Sequence, residues 1–103
     1  MKLFFDTETT GLPRNWSAPV SETNNWPRLV QLAWIQYDNQ GNLMNEGSRV
    51  IKPDGFSIPG KATAVHGITT NYALKKGIGL PIVLPRFSEL IDESNLLIAH
   101  NMD

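Results

Sequence analysis

Apolar residues recur along this chain in two rhythms. In the first half they form short runs rich in aromatic, leucine and β-branched residues, Leu3-Phe4-Phe5 and then Leu29-Val30-Gln31-Leu32-Ala33-Trp34-Ile35-Gln36-Tyr37, a composition that suits pleated strands. The first run predicts a strand over residues 2 to 6 of the kind buried on both faces, and the second a strand over 29 to 37. Asp38-Asn39-Gln40-Gly41 carries turn chemistry, so a third strand should run from Asn42 to Lys52 and close at Pro53-Asp54-Gly55. The rhythm then changes. Ala62 to His66 reads as a helical turn stopped at Gly67, and Thr69 or Thr70 can cap a short helix to Lys76. From Pro81 to Glu93, Val83, Leu84, Phe87, Leu90 and Ile91 follow helical spacing behind a proline. Asn95 to His100 reads as a last strand.

The resulting order is β-β-β-α-β, an α/β arrangement. The first three strands make an antiparallel meander, and a helical crossover brings the fourth parallel to the first. The carboxyl ends of strands one and four then lie side by side. That edge of an open α/β sheet is where ligands bind.

Composition narrows the picture little. With 41% hydrophobic residues, 18% charged residues and a formal net charge of −1, the chain has the make-up of a globular domain and no electrostatic signature of nucleic-acid binding. It has no cysteine, which excludes disulfides and thiolate metal sites and fits a reducing cytoplasm. No apolar run approaches a membrane span or a signal-peptide core.

The informative segment is Phe4-Phe5-Asp6-Thr7-Glu8-Thr9-Thr10-Gly11-Leu12. Alternate residues of a strand share a face, so Asp6 and Glu8 converge on one point. Like charges so placed repel, and a divalent cation between them relieves the repulsion. Oxygen donors favour a hard ion, Mg²⁺ or Mn²⁺. Gly11 lets the backbone turn and approach a ligand closely.

The stretch from Phe5 to Leu12 resembles the first motif of the DEDD 3′–5′ exonucleases, the superfamily that includes the proofreading (epsilon) subunit of bacterial DNA polymerase III. His66-Gly67-Ile68-Thr69 resembles the segment these nucleases carry before their first long helix. Leu97-Ile98-Ala99-His100-Asn101-Met102-Asp103 resembles their second motif, an apolar strand ending in a metal-binding aspartate. The resemblance implies a ribonuclease H-like fold and a metal site of Asp6, Glu8 and Asp103 as the catalytic carboxylates, holding two Mg²⁺ or Mn²⁺ ions in the complete domain. It implies further that Thr9, Thr10, Gly11 and Leu12 meet the terminal nucleotide of a single-stranded 3′ end, with His66 and Asn101 near the bound strand.

A complete domain of this type has roughly 170 to 180 residues, and its third motif supplies a general-base His or Tyr and a fourth Asp. On this reading residues 1–103 are the N-terminal portion of one exonuclease domain, inactive alone, whose fourth strand presents an uncovered edge for self-association. The substrate expected is DNA, with a polymerase subunit as partner. An RNA-directed exonuclease of the same fold and a non-catalytic binding module are the alternatives. His100, flanked by apolar residues, reads as structural, and Trp34 as core. Trp16 and Trp26 read as anchors that pin the polar loop after the carboxylates rather than as platforms for bases.

Overall fold

The computed structural model describes residues 1–22 and 25–99. Its elements are strands β1 (Lys2–Thr9), β2 (Leu29–Tyr37) and β3 (Leu43–Val50), helices α1 (Gly60–His66), α2 (Thr70–Lys76) and α3 (Leu80–Asp92), and strand β4 (Leu96–Ala99). They build a sheet of order β3-β2-β1-β4. The first three strands are antiparallel neighbours, and β4 runs parallel to β1 with Lys2 opposite Leu96 and Phe5 opposite Ala99. The expected topology is therefore present, and the crossover consists of three helices.

Local chemistry explains the division of that crossover. Gly67 closes α1 in the left-handed region, at φ 78°, which costs glycine little. The Thr69 hydroxyl then accepts from the Tyr72 amide and caps α2. Gly77 ends α2 against the chain that leaves β3, where a Cβ would stand 2.6 Å from the Lys52 nitrogen. Pro81 lies in the first turn of α3, where a missing N–H costs nothing.

Strand β2 shows how the core is made. Val30, Leu32, Trp34 and Gln36 are all buried, as alternation requires of one face. Leu32 and Trp34 pack with Leu3 and with Val83, Phe87 and Leu90 of α3, while Val30 packs with Ile58, Ala62, Ile68 and Ala73 around α1 and α2. The helices thus cover one face of the sheet. Phe5 joins this side, its ring 5.5 Å from that of Phe87 in an edge contact.

Strand β1 departs from expectation in two ways. It is longer than residues 2 to 6, because its ladder with β2 continues through Thr7 opposite Leu32 and Glu8 opposite Gln31, so both carboxylates stand within the strand. It is also buried on one face only. Leu3 is fully buried but Phe4 is 39% exposed, since Phe4 shares the helix-free face with Ile35 and Ile98, which are exposed to similar extents.

Candidate active site

Asp6 and Glu8 lie two residues apart on β1, opposite Ala33 and Gln31. They share the helix-free face, with Cα atoms roughly 7 Å apart by strand geometry. The register shifts between Glu8 and Thr9, an irregularity of the kind that re-aims side chains beside functional sites. Two carboxylates with only oxygen donors suit a hard divalent cation. Among the described residues no third His, Cys, Asp or Glu joins them in a metal-holding group. Asp103 and Asn101 lie outside the described residues, as does His100. Strand β4 is described as far as Ala99 opposite Phe5, one residue short of the level of Asp6, and runs parallel to β1, so both strands head toward the same edge of the sheet.

Beyond Glu8 the chain turns into a groove of about 840 Å³. On one side are Glu8, Thr9, Thr10, Gly11 and Leu12, and on the other is α1 with Lys61, Val65 and His66. The two threonine hydroxyls hold the turn in shape. Thr9 Oγ1 donates to the Gly11 carbonyl at 2.9 Å, and Thr10 Oγ1 accepts from the Arg28 amide at 2.9 Å. Gly11 adopts φ 148°, yet a Cβ there would meet nothing within 4 Å, so backbone conformation rather than crowding calls for glycine. Leu12 is 78% exposed, an apolar side chain standing in the groove.

His66 occupies the last turn of α1. Its Nδ1 accepts from the Ile68 amide at 3.1 Å. In the neutral ring the proton must then sit on Nε2. That nitrogen is buried and has no hydrogen-bond partner among the described residues. A buried donor left unmatched is costly, and one placed on a groove wall suits an acceptor brought by a ligand.

The structure adds residues that sequence reasoning passed over. Lys61 and Val65, and likewise Ala62 and His66, stand four apart on α1, so one side of this helix fronts the groove. That spacing was readable; the direction in which the helix faced was not. The two indoles of the polar loop also separate. Trp26 is half-buried and donates Nε1 to the Pro19 carbonyl at 3.0 Å, which is the anchoring role expected of both. Both line the groove, and Trp16 is 60% exposed there. Trp34 is core, as expected.

Comparison with known proteins fits this arrangement. A family profile described as an exonuclease, RNase T, matches residues 3–103. No curated protein matches the chain. Among solved structures, Escherichia coli exonuclease I in complex with a 5cy-dA13 oligonucleotide is similar with a TM-score of 0.73 and 25% identity, over 97% of this chain and 20% of its own. Its complex with a dT13 oligonucleotide gives 0.72 and 25%, over 97% and 20%. A product-bound exonuclease I gives 0.73 and 25%, over 97% and 22%. The chain thus spans about a fifth of the length of these structures. Its mixed sheet, with β4 parallel to β1, is the ribonuclease H-like sheet of that fold.

Proposed function

The chain belongs to the RNase T family of exonucleases, and on that premise we propose that it carries the carboxylate pair and the 3′-end groove of a metal-dependent 3′–5′ exonuclease acting on single-stranded DNA. The observation that carries this reading is the Asp6–Glu8 pair on one face of β1, with Glu8 beside the register shift and lining the groove faced by His66. The solved relatives hold DNA oligonucleotides, which favours DNA over RNA. They are exonuclease I rather than polymerase subunits, so we put forward the free-standing activity in place of the proofreading one.

Asp6 and Glu8 would hold Mg²⁺ or Mn²⁺, with Asp103 in the role that the resemblance assigns to it. When bound, such ions activate water and stabilise the departing oxygen of a phosphodiester. The chain's own groups bind and orient the strand end. The backbone around Thr9 to Gly11 takes the terminal sugar, Leu12 packs on its base, and the His66 Nε2–H donates to a phosphate or sugar oxygen. Apolar packing is indifferent to base identity, as a nuclease without sequence preference needs.

The test is Mn²⁺ binding followed by electron paramagnetic resonance, alongside digestion of an end-labelled oligothymidylate. Binding by the chain, lost in Asp6→Ala and weakened in Glu8→Ala, supports the proposal. A chain that takes up no Mn²⁺ even with oligonucleotide present, or whose uptake survives Asp6→Ala, overturns it.

A further inference from the structure

We infer that Trp16 is a stacking platform for a base upstream of the 3′ terminus, and that Lys61 on the facing helix takes the phosphate beside it. This inference rests on the groove being a single-strand site, as proposed above, and extends it beyond the terminal nucleotide.

Three features single out Trp16. The first is contrast with its neighbour. Trp26 has its indole N–H satisfied by Pro19 and is half-buried, so the anchoring of this loop is already provided, and Trp16 is left 60% exposed. The second is rigidity. The Asn15 amide donates to Asn25 Oδ1 at 2.7 Å and the Asn25 side-chain amide donates back to the Asn15 carbonyl at 2.9 Å. This two-way clasp, with Ser17 N donating to Asn15 Oδ1 at 3.0 Å, holds the backbone on both sides of Trp16. An aromatic ring carried on a fixed backbone loses little freedom when a base stacks on it.

The third feature is composition of the walls. Leu12, Trp16 and Val65 are 78%, 60% and 83% exposed on one groove, a concentration of apolar surface beyond scattered single residues. The same walls carry Lys61, His66 and the threonines Thr7, Thr9 and Thr10. Apolar plates alternating with a cation and donors match the chemistry of a single strand, whose bases stack and whose backbone is anionic. In chain order one wall of the groove is lined by Glu8, Leu12 and Trp16. On the other, Lys61 and His66 are five residues apart on α1, roughly 7.5 Å along its axis. The strand end at Glu8 and His66 therefore leaves Trp16 and Lys61 for what lies upstream.

The experiment measures binding of thymidine monophosphate and of an oligothymidylate of about eight nucleotides to the 103-residue chain in Mn²⁺. Trp16→Ala should weaken the oligonucleotide about 5- to 100-fold and leave the mononucleotide unchanged. Trp16→Phe should restore most of the loss, which a purely structural role for the indole N–H would not allow. Lys61→Gln should lower the slope of log affinity against log salt by about 0.7. Unchanged oligonucleotide affinity in folded Trp16→Ala, checked by circular dichroism, overturns this inference and leaves the exonuclease reading standing. Equal loss for mononucleotide and oligonucleotide also overturns it. Failure of the unaltered chain to bind either ligand removes the single-strand site itself, and this inference with it.

Discussion

Trp34 lies against Gly47, its direct partner across the β2–β3 ladder, so closely that a Cβ on residue 47 would stand 2.7 Å from Cε2 and 2.9 Å from Cη2 of the indole. The neighbours of Gly47 on the same face complete a cradle for that ring. Asn45 Oδ1 accepts from Nε1 at 3.1 Å, and the Arg49 guanidinium stands 5.5 Å from the ring centre. Strand β3 thus contributes to the core without apolar residues at these positions, by receiving a side chain from β2. Gly47→Ala should destabilise the fold by about 1–3 kcal/mol, as overpacking does. Urea unfolding followed by tryptophan fluorescence checks this, and an unchanged midpoint would show that the indole yields freely.

His66 is expected to join strand binding to helix capping. His66→Phe removes the Nε2–H donor from the groove and the Nδ1 acceptor from the Ile68 amide. The second loss should cost about 1 kcal/mol of stability. The first should weaken oligothymidylate binding about 10-fold or more, since hydrogen bonds to charged groups contribute about 1.5–3 kcal/mol. Fluorescence anisotropy and thermal unfolding separate the two effects. A variant less stable but with full affinity would show that His66 only caps α1.

How much of this was legible follows from where the deciding information lies. The bounds of β2 were readable because Val30, Trp34, Ile35 and Tyr37 recur within a largely apolar run from Leu29 to Tyr37. The end of β1 was not, because Thr7, Glu8 and Thr9 are polar and are held in the strand by their partners on β2. Gln36 is 2% exposed although its type favours the surface. Its burial depends on the Ser94 hydroxyl, 58 residues away, which accepts from Nε2 at 3.1 Å. The carboxylate pair was visible as local spacing. The opposite wall of the groove was not, since Lys61 and Val65 acquire meaning only when the crossover sets α1 beside the end of β1. Trp16 and Trp26, alike in sequence, differ because only one indole reaches a carbonyl.

Acid should loosen the β2–β3 hairpin at Asp38. Its carboxyl is held below the ordinary carboxylate range by the Asn42 amide, aided by the Asn42 side chain and the Gln40 amide, with Oδ1 accepting at 2.8 Å from Asn42 N and 2.9 Å from Gln40 N. A pKa lower in the folded than in the unfolded state means that the unfolded chain binds the proton more readily. The stabilisation is therefore complete above the unfolded value, near 3.8, and is lost as pH falls through the lower folded one. Asp38→Ala should lower stability at neutral pH and flatten the acid limb of the stability curve. An acid limb unchanged by the substitution would assign the loss to other carboxylates.

Self-association through β4 is the outcome expected from its position. Among the described residues it is an edge strand, with β1 on one side, and Leu96, Leu97 and Ile98 are 47%, 46% and 36% exposed. Among the described residues its outer edge is unpaired and offers N–H and C=O groups to a further strand, and its Leu96 and Ile98 side chains extend the helix-free face that holds Phe4 and Ile35. Pairing with a second copy would satisfy the edge and shield those side chains together. Ile98→Lys places a charge where the two copies would meet, a device by which natural edge strands resist pairing. Light scattering on the 103-residue chain at high micromolar concentration should show dimers or larger species that Ile98→Lys reduces to monomers. If the unaltered chain is already monomeric and stably folded under these conditions, β4 is not a pairing edge and the exposure of its side chains is tolerated without a second copy.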